Sequence, residues 1–503
     1  MQTVYDLCIL GGGIHGAGIA RDAAGRGLSV LLAERGDLGD GASSQGLGLL
    51  QGGLRDLEQR RFRQVREALA ERETLLRMAP HIVRPLRLVL PDDRDGGRPW
   101  WRLRLGLDLY GSLNRKGRLP VPTVLRLRET PEGRPLDGRF RRGLAYSDGA
   151  TDAARLVILN ARSAADLGAR VLVRTAVVRA RREEGLWRIS LRDEHRNGRD
   201  VKARALVNAA GAWTDRVFAE ALERPPQRRL RLVRGSHIVV PALYQGDQAY
   251  ALQQKNRGLV FVLPFADGFS LIGTAYAAHE DTPDEARPSP DEIRALCEAV
   301  SRAFGRTIVP GDVRRAFAEL WPAADDDPTD LSAMNREAVI EVEGERVEAP
   351  LLSVYGGTMT LYRRTAEAVL DKLKPWFPKV KPAWTAGAAL PGGDFPDADL
   401  SRFLRGLRQR RPWLPPALSL RYARTYGTRT DALLEGARSM DDLGRSFGAG
   451  LTEREVAWLR EREWAASAED VLWRRTRLGL HMTTEQRQDL ALWMMQAEVA
   501  QPV

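Results

Sequence analysis

The first apolar run, Tyr5-Asp6-Leu7-Cys8-Ile9-Leu10, predicts a buried strand. Residues 17–27 mix small apolar positions with Arg21 and Asp22 and predict a helix; residues 28–33 are apolar again and predict a second strand. Largely apolar strands flanking a helix, broken only by Asp6 and Ser29, read as a buried βαβ unit. Further on, Phe62–Met78 carries dense charge on one side and offers Val65, Leu69, Leu75 and Leu76 to a core, so a long helix is expected until Pro80 stops it. Residues 152–167 read as a helix, 170–173 and 186–191 as strands in an antiparallel pair, and 205–213 as a strand entering a glycine turn. Strand signals dominate from 231 to about 317, at 235–241, 259–264 and 269–274. Residues 351–357 form a strand with paired glycines, followed by a helix over Tyr362–Leu373. Beyond Pro391-Gly392-Gly393 the pattern is helical and charged to the end.

The fold class implied is α/β: a Rossmann-like nucleotide-binding domain, an inserted mixed-sheet domain and a C-terminal α-helical domain. The expected boundaries are 1–85, 145–230 and 335–385 for the discontinuous nucleotide domain and 86–144 for a linker. The substrate-covering domain takes 231–334 and the helical domain 390–503. A chain that opens on a nucleotide motif and completes the same sheet much later fits a flavin domain better than a compact NAD domain.

Composition narrows the classes. A length of 503 residues predicts two or three domains. Two cysteines, Cys8 and Cys297, cannot build a disulfide framework, so a reducing cytoplasm is the default. The N-terminus does not read as a signal peptide, and no stretch of about 18 apolar residues appears. Net charge is +11, mostly from arginine. No motif or lysine-rich tail directs that charge to nucleic acid. One segment suggests a lipid surface: residues 98–118 interleave Arg98, Arg102, Arg104, Arg115, Lys116 and Arg118 with Trp100, Trp101, Leu105 and Tyr110. A surface helix packing its leucines inward fits the same periodicity.

The chemistry sits in the turns. Gly11, Gly13 and Gly16 stand between the first strand and helix, and Glu34 closes the second strand, the order a dinucleotide site requires. The helix N-terminus would face phosphate and Glu34 a ribose. The loop 39–48 with Ser43 and Ser44, Gly52-Gly53, Ala210-Gly211 and Gly356-Gly357-Thr358 are further positions where backbone can approach a cofactor. No metal site is expected.

These motifs resemble the FAD-dependent sn-glycerol-3-phosphate dehydrogenase family of the aerobic respiratory type. The resemblance covers residues 11–30, Gly52-Gly53-Leu54-Arg55, residues 67–80, Asp152-Ala153-Ala154-Arg155-Leu156, residues 235–241, Gly356-Gly357 and Pro391-Gly392-Gly393. It continues in Tyr422-Ala423-Arg424-Thr425-Tyr426-Gly427 and Leu472-Trp473-Arg474-Arg475-Thr476. It implies FAD as cofactor, oxidation of glycerol 3-phosphate to dihydroxyacetone phosphate, and quinone as electron acceptor. It also implies peripheral docking on the anionic inner membrane from the cytoplasm, with a homodimer as a candidate assembly. Arg55 and Arg336 match arginines that the family places near substrate, and His237 matches a histidine that serves as base or orients a hydroxyl.

The chain departs from the family at six positions. Gly48 and Thr358 stand where lysines are usual, Gln51 replaces a histidine, Asp56 a tyrosine, Tyr276 an aspartate, and Trp321 an arginine. Losing two charge-assisted phosphate contacts at about 1.5–3 kcal/mol each would weaken an anionic substrate roughly a hundredfold or more. Two alternatives therefore stand beside glycerol 3-phosphate oxidation: a flavin oxidoreductase with a less anionic substrate, and a flavin-binding pseudoenzyme with a binding or regulatory role.

Overall fold

The structure is a computed structural model that describes residues 4–93, 97–114, 117–255, 258–323 and 336–499, without the side chains of 55 and 497–499. The chain opens with β1 (Val4–Leu10), α1 (Ile14–Gly25) and β2 (Val30–Ala33). Next come β3 (Leu49–Leu50), α2 (Leu54–Glu58), α3 (Phe62–Met78), β4 (Val83–Pro91) and α4 (Trp100–Leu113). Then follow β5 (Thr123–Leu125), β6 (Gly143–Thr151), α5 (Ala153–Asp166), β7 (Arg170–Leu172), β8 (Thr175–Glu183), β9 (Leu186–Asp193) and β10 (Gly198–Asn208). The later strands are β11 (Arg231–Pro241), β12 (Ala249–Gln253), β13 (Leu259–Phe265), β14 (Phe269–His279), β15 (Arg315–Ala323), β16 (Val339–Glu343) and β17 (Leu351–Tyr355).

One sheet runs β16-β17-β10-β1-β2-β7, with β9 pairing β10 and β8 pairing β9. Its centre is parallel: β10, β1, β2 and β7 pair side by side in one direction, and β17 joins β10 in the same sense. Leu7, Cys8 and Ile9 of β1 are fully buried because helices cover one face and the β8–β9 layer the other. α1 packs between α5 and the helix Tyr362–Leu373. The helix Phe62–Met78 and the helix Tyr362–Leu373 fall where the periodicity placed them. Asp152 caps α5 by accepting from the Arg155 N–H at 3.1 Å.

The second sheet runs β15-β11-β14-β13-β12-β4-β6-β3, with β5 on β6. The segment 86–144, expected as a linker, supplies much of β4 and all of β5 to this sheet, and the boundaries at 85 and 145 cut through β4 and β6. Leu86, Leu88, Val89 and Leu90 are all buried, so the alternation that would mark a half-exposed strand is absent. The region 231–334 is thus one part of the sheet rather than a separate insertion; residues 324–334 of it lie outside the described residues. A second correction concerns β7, which pairs in parallel with β2; the antiparallel partners of β9 are β8 and β10. One face of the second sheet packs on the helix Pro290–Phe304 and the other on α2, α3 and α4.

The C-terminal helices Leu400–Arg410, Pro416–Tyr426, Glu453–Glu463 and Thr484–Val499 enclose their own core. Buried ion pairs tie them to the nucleotide domain. Arg155 meets Glu463 at 2.9 Å, and Arg475 donates to Asp37 at 2.7 Å just beyond β2. Among the described residues no helix is long and apolar enough to cross a membrane.

Candidate active site

A large cavity of about 1680 Å³ lies between the two sheets. That exceeds the ~300–1,000 Å³ of an ordinary ligand pocket, as an extended dinucleotide together with a substrate requires. At one end the turn from β1 into α1 forms its floor. Gly11 has φ +102°, and a Cβ on Gly16 would stand 1.8 Å from the Gly11 carbonyl oxygen, so the turn closes only over glycine. The Glu34 carboxylate accepts from the Gly12 N–H at 2.5 Å and the Gly36 N–H at 2.7 Å. Burial pushes this carboxyl up from its ordinary range, and the two N–H groups pull it back. Ser43 Oγ accepts from the Ile14 N–H at 3.0 Å at the start of α1.

Gly11, Gly13, Glu34, Ser43, Gly53, Ala210, Gly211, Gly356, Gly357 and Thr358 all line the cavity. Gly16, Ser44 and Gly52 do not. Gly16 holds the turn from behind, and the buried Ser44 hydroxyl has no hydrogen-bond partner among the described residues. Gly52 donates its N–H to Tyr110 Oη at 3.1 Å and to Asp148 Oδ1 at 3.2 Å. Tyr110 and Arg72 also donate to that Asp148 oxygen, at 2.5 Å and 2.6 Å. A glycine cradle, a helix N-terminus and a carboxylate at the strand end fit FAD: diphosphate over the turn, ribose at Glu34.

The opposite end of the cavity is built by β11, β14 and β15. Register pairs Gly235 with both Tyr276 and Glu319, His237 with Phe317, and Val233 with Trp321. Because side chains two apart share a face, Phe317, Glu319 and Trp321 point the same way, and Thr274 and Tyr276 join them on the cavity wall. Arg336 lies flat against this wall. Its guanidinium carbon is 3.5 Å from the Trp321 ring centroid, and its Nη2 donates to Tyr276 Oη at 2.8 Å. Burial pushes the Glu319 carboxyl up to about 7, while Arg336 draws it down.

His237 does not line the cavity. It is fully buried, its ring stacks on Phe317 at 5.5 Å, and its Nε2 is 3.1 Å from Thr274 Oγ1. Burial lowers its imidazole to about 3, so it stays neutral. Its reach to a ligand runs through Thr274, which lines the cavity. Arg55 sits on α2, at the cavity's edge in sequence between Gly53 and Asp56; its side chain lies outside the described residues.

Five of the six departures gain a structural setting. Gly48 has φ +67°, and a Cβ there would meet the Thr151 carbonyl oxygen at 2.3 Å, so this loop path has no room for a lysine. Trp321 and Tyr276 together hold Arg336. Asp56 pairs with Arg61 at 3.5 Å, and the Gln51 carbonyl accepts from Thr360 at 3.3 Å. Sequence reasoning passed over Glu319 and His15. Glu319 stands two residues from Trp321 in a strand, a spacing that puts both on one face. His15 sits inside the glycine motif, lines the cavity beside Gly357, and is lowered to about 4 by burial, with its Nδ1 unpartnered among the described residues. Among the described residues no group of three or more His, Cys, Asp or Glu is placed to hold a metal ion.

A dinucleotide cradle of this form, facing a mixed-sheet wall, defines a flavin-dependent oxidoreductase, and the profile of the FAD dependent oxidoreductase family matches residues 6–336. The C-terminal domain of alpha-glycerophosphate oxidase matches residues 383–498. The chain is 45% identical to a glycerol-3-phosphate dehydrogenase of Pseudomonas aeruginosa over all of its own length and 97% of that protein's. It is 43% identical to a D-erythritol 1-phosphate dehydrogenase of Brucella abortus, covering 98% of each chain. With the aerobic glycerol-3-phosphate dehydrogenase of Escherichia coli, identity is 41% over 99% of this chain and 98% of the other. The structure of a glycerol-3-phosphate dehydrogenase from Bacillus halodurans complexed with FAD superposes with a TM-score of 0.75 at 23% identity, covering 98% of this chain and 94% of that one. The chain belongs to the glycerol-3-phosphate dehydrogenase family of FAD-dependent oxidoreductases.

Proposed function

We propose that this chain is a membrane-docked FAD-dependent dehydrogenase that oxidises the secondary alcohol of a small substrate at the β11–β14–β15 wall. The observation that carries the reading is the continuity of one cavity from Glu34 and the glycine turn to Arg336. FAD held in the glycine cradle supplies a two-electron acceptor that a membrane quinone can reoxidise. The chain's own work is to orient the substrate and to take its hydroxyl proton as hydride leaves. Thr274, fixed by neutral His237, lines the wall where it can hydrogen-bond and orient the substrate hydroxyl, and Arg336 supplies positive charge.

sn-Glycerol 3-phosphate, giving dihydroxyacetone phosphate, is the first substrate to test because the relatives carry that name. Anaerobic addition to purified holoprotein should bleach the visible flavin band; an unchanged band rejects this substrate. A specific observation favours a second reading, a less anionic substrate on the same machinery: Trp321 and Glu319 occupy the wall where the family has an arginine and a glycine.

Docking on the cytoplasmic face of the inner membrane is supported by α4. Leu107 and Tyr110 are buried, while Trp101 and Leu105 are each 62% exposed, and Val121 nearby is 65% exposed. Arg102 and Arg104 lie among them on the exposed side, with Arg115 and Lys116 outside the described residues. Co-sedimentation with vesicles containing anionic lipid should fall sharply in Trp101→Glu/Leu105→Glu and be unchanged if α4 is an ordinary surface helix.

A further inference from the structure

Oxidation of an alcohol needs a group that accepts the hydroxyl proton. His237 is closed off behind Thr274, with its Nε2 3.1 Å from Thr274 Oγ1, and a threonine hydroxyl does not retain a proton. The other carboxylates that line the cavity are all engaged. Glu34 is held by two backbone N–H groups, Asp148 by Arg72, Asp284 by Arg35, and the rest by arginines. Glu319 is the exception: among the described residues it accepts no hydrogen bond and makes no ion pair. A carboxylate whose lone pairs already take N–H bonds is a weakened base, and one left open is not.

Glu319 also stands where the two ends of the cavity meet. A Cβ on Gly46, in the loop that continues from Ser43, would lie 2.5 Å from Glu319 Oε2. A Cβ on Gly235 would lie 3.2 Å from Glu319 Oε1 and 2.7 Å from Thr274 Cγ2, so carboxylate and threonine converge over one bare point of β11. The reacting carbon must lie between cofactor and wall with its hydroxyl in reach of the base, and this junction meets both demands. The charged or titratable groups that face Glu319 are Arg336 after β15, Tyr276 on β14 and His237 on β11, the last screened by Thr274; the loop 39–48 meets it with Gly46. Burial pushes the Glu319 carboxyl up to about 7, which poises it as a base near neutrality. Arg336 gives one N–H to Tyr276 and keeps others for an anionic end of the substrate.

We propose that Glu319 is the proton acceptor of the reaction, with Thr274 orienting the substrate hydroxyl toward it and Arg336 facing the substrate's anionic end. The C–H electron pair leaves as hydride for FAD, the O–H bond breaks with its proton passing to a Glu319 oxygen, and the carbonyl forms. Glu319 returns that proton to water before the next turnover. The assignment rests on the dehydrogenase reading above.

The test uses full-length, flavin-replete protein under anaerobic conditions and follows bleaching of the flavin band in a single turnover, with sn-glycerol 3-phosphate and glycerol as probes. The wild-type rate should climb about tenfold per pH unit below about 7 and level off above it. Glu319→Gln should be at least roughly a hundredfold slower at pH 8, with a flat pH profile and half-saturation within about threefold of wild type. Formate should restore at least roughly tenfold of the rate lost in Glu319→Ala, which a merely structural role would not allow. Apart from activity, the flavin spectrum without substrate should titrate near pH 7 in wild type and not in Glu319→Gln. The assignment is overturned if Glu319→Gln keeps the pH limb, if its rate lies within about threefold of wild type, or if formate leaves Glu319→Ala unchanged. Wild-type protein that holds no flavin, or whose flavin neither probe bleaches, fails the dehydrogenase reading for these polyols and the assignment with it. Wild-type protein that is reduced, beside a Glu319→Gln variant that behaves like it, fails the assignment alone.

Discussion

The two ends of the cavity obey different rules. At the end proposed for the cofactor the wall is backbone: the Gly11–Gly16 turn, the N–H groups of α1 and the N–H groups holding Glu34. At the end proposed for the substrate the wall is made by side chains standing on three strands, Glu319 and Trp321 among them, and the lysines that the resemblance implies are absent at 48 and 358. Backbone recognition cannot be altered one residue at a time without losing the turn. Side-chain recognition can, because the strands pair whatever they carry. A chain of this family can therefore keep its cofactor and exchange its substrate.

The largest effect should come from breaking the glycine turn itself. Gly16→Val forces a side chain into the Gly11 carbonyl, and the purified protein should contain no flavin; a normal flavin spectrum would show that the turn is not the cradle. Next is the clamp behind that cradle. Asp37→Ala leaves the buried Arg475 without its carboxylate, while Arg474 keeps Asp40 and Asp470, and should cost about 3–5 kcal/mol by denaturant unfolding. Smaller is the signature of the altered end. The folded protein holds Glu319 at about 7 against an ordinary 4.5, so the folded state binds the extra proton between those values. Stability contributed at this site is then highest at low pH and declines as pH rises from about 4.5 to about 7. Glu319→Gln should be more stable than wild type by roughly 2 kcal/mol at pH 8 and equal to it near pH 4. The smallest effect, about 1 kcal/mol, is expected for Asp152→Ala, which removes the cap of α5 without touching either end of the cavity.

Legibility in the sequence followed the same division. The β1–α1–β2 unit, Glu34 and the glycines at 11, 13, 356 and 357 were readable because turn geometry restricts residue type at fixed spacing. The strands β4 and β6 were not placed in the second sheet, since burial on both faces erased alternation and their partners lie far along the chain. β7 was given the wrong neighbour because three residues carry no register information. His237 was readable as a family position, but its burial behind Thr274 depends on how β11, β14 and β15 stack, which no local pattern records. Glu319 is the clearest case. In sequence it is one acid among many, and it becomes chemically singular only because β15 turns it, unpaired, toward the same space as Arg336.

Tyr110 has a consequence for anyone handling the protein. It anchors the buried side of α4, yet its hydroxyl is a direct partner of both Asp148 and the Gly52 N–H. The oily outer surface and the cavity rim are thus two sides of one short helix. Trimming α4 to obtain a better-behaved preparation would pull a strut from beneath Gly52, whereas recolouring its outer positions, Trp101 and Leu105, with polar residues leaves the strut in place. Solubility engineering on this chain should repaint that helix, not remove it.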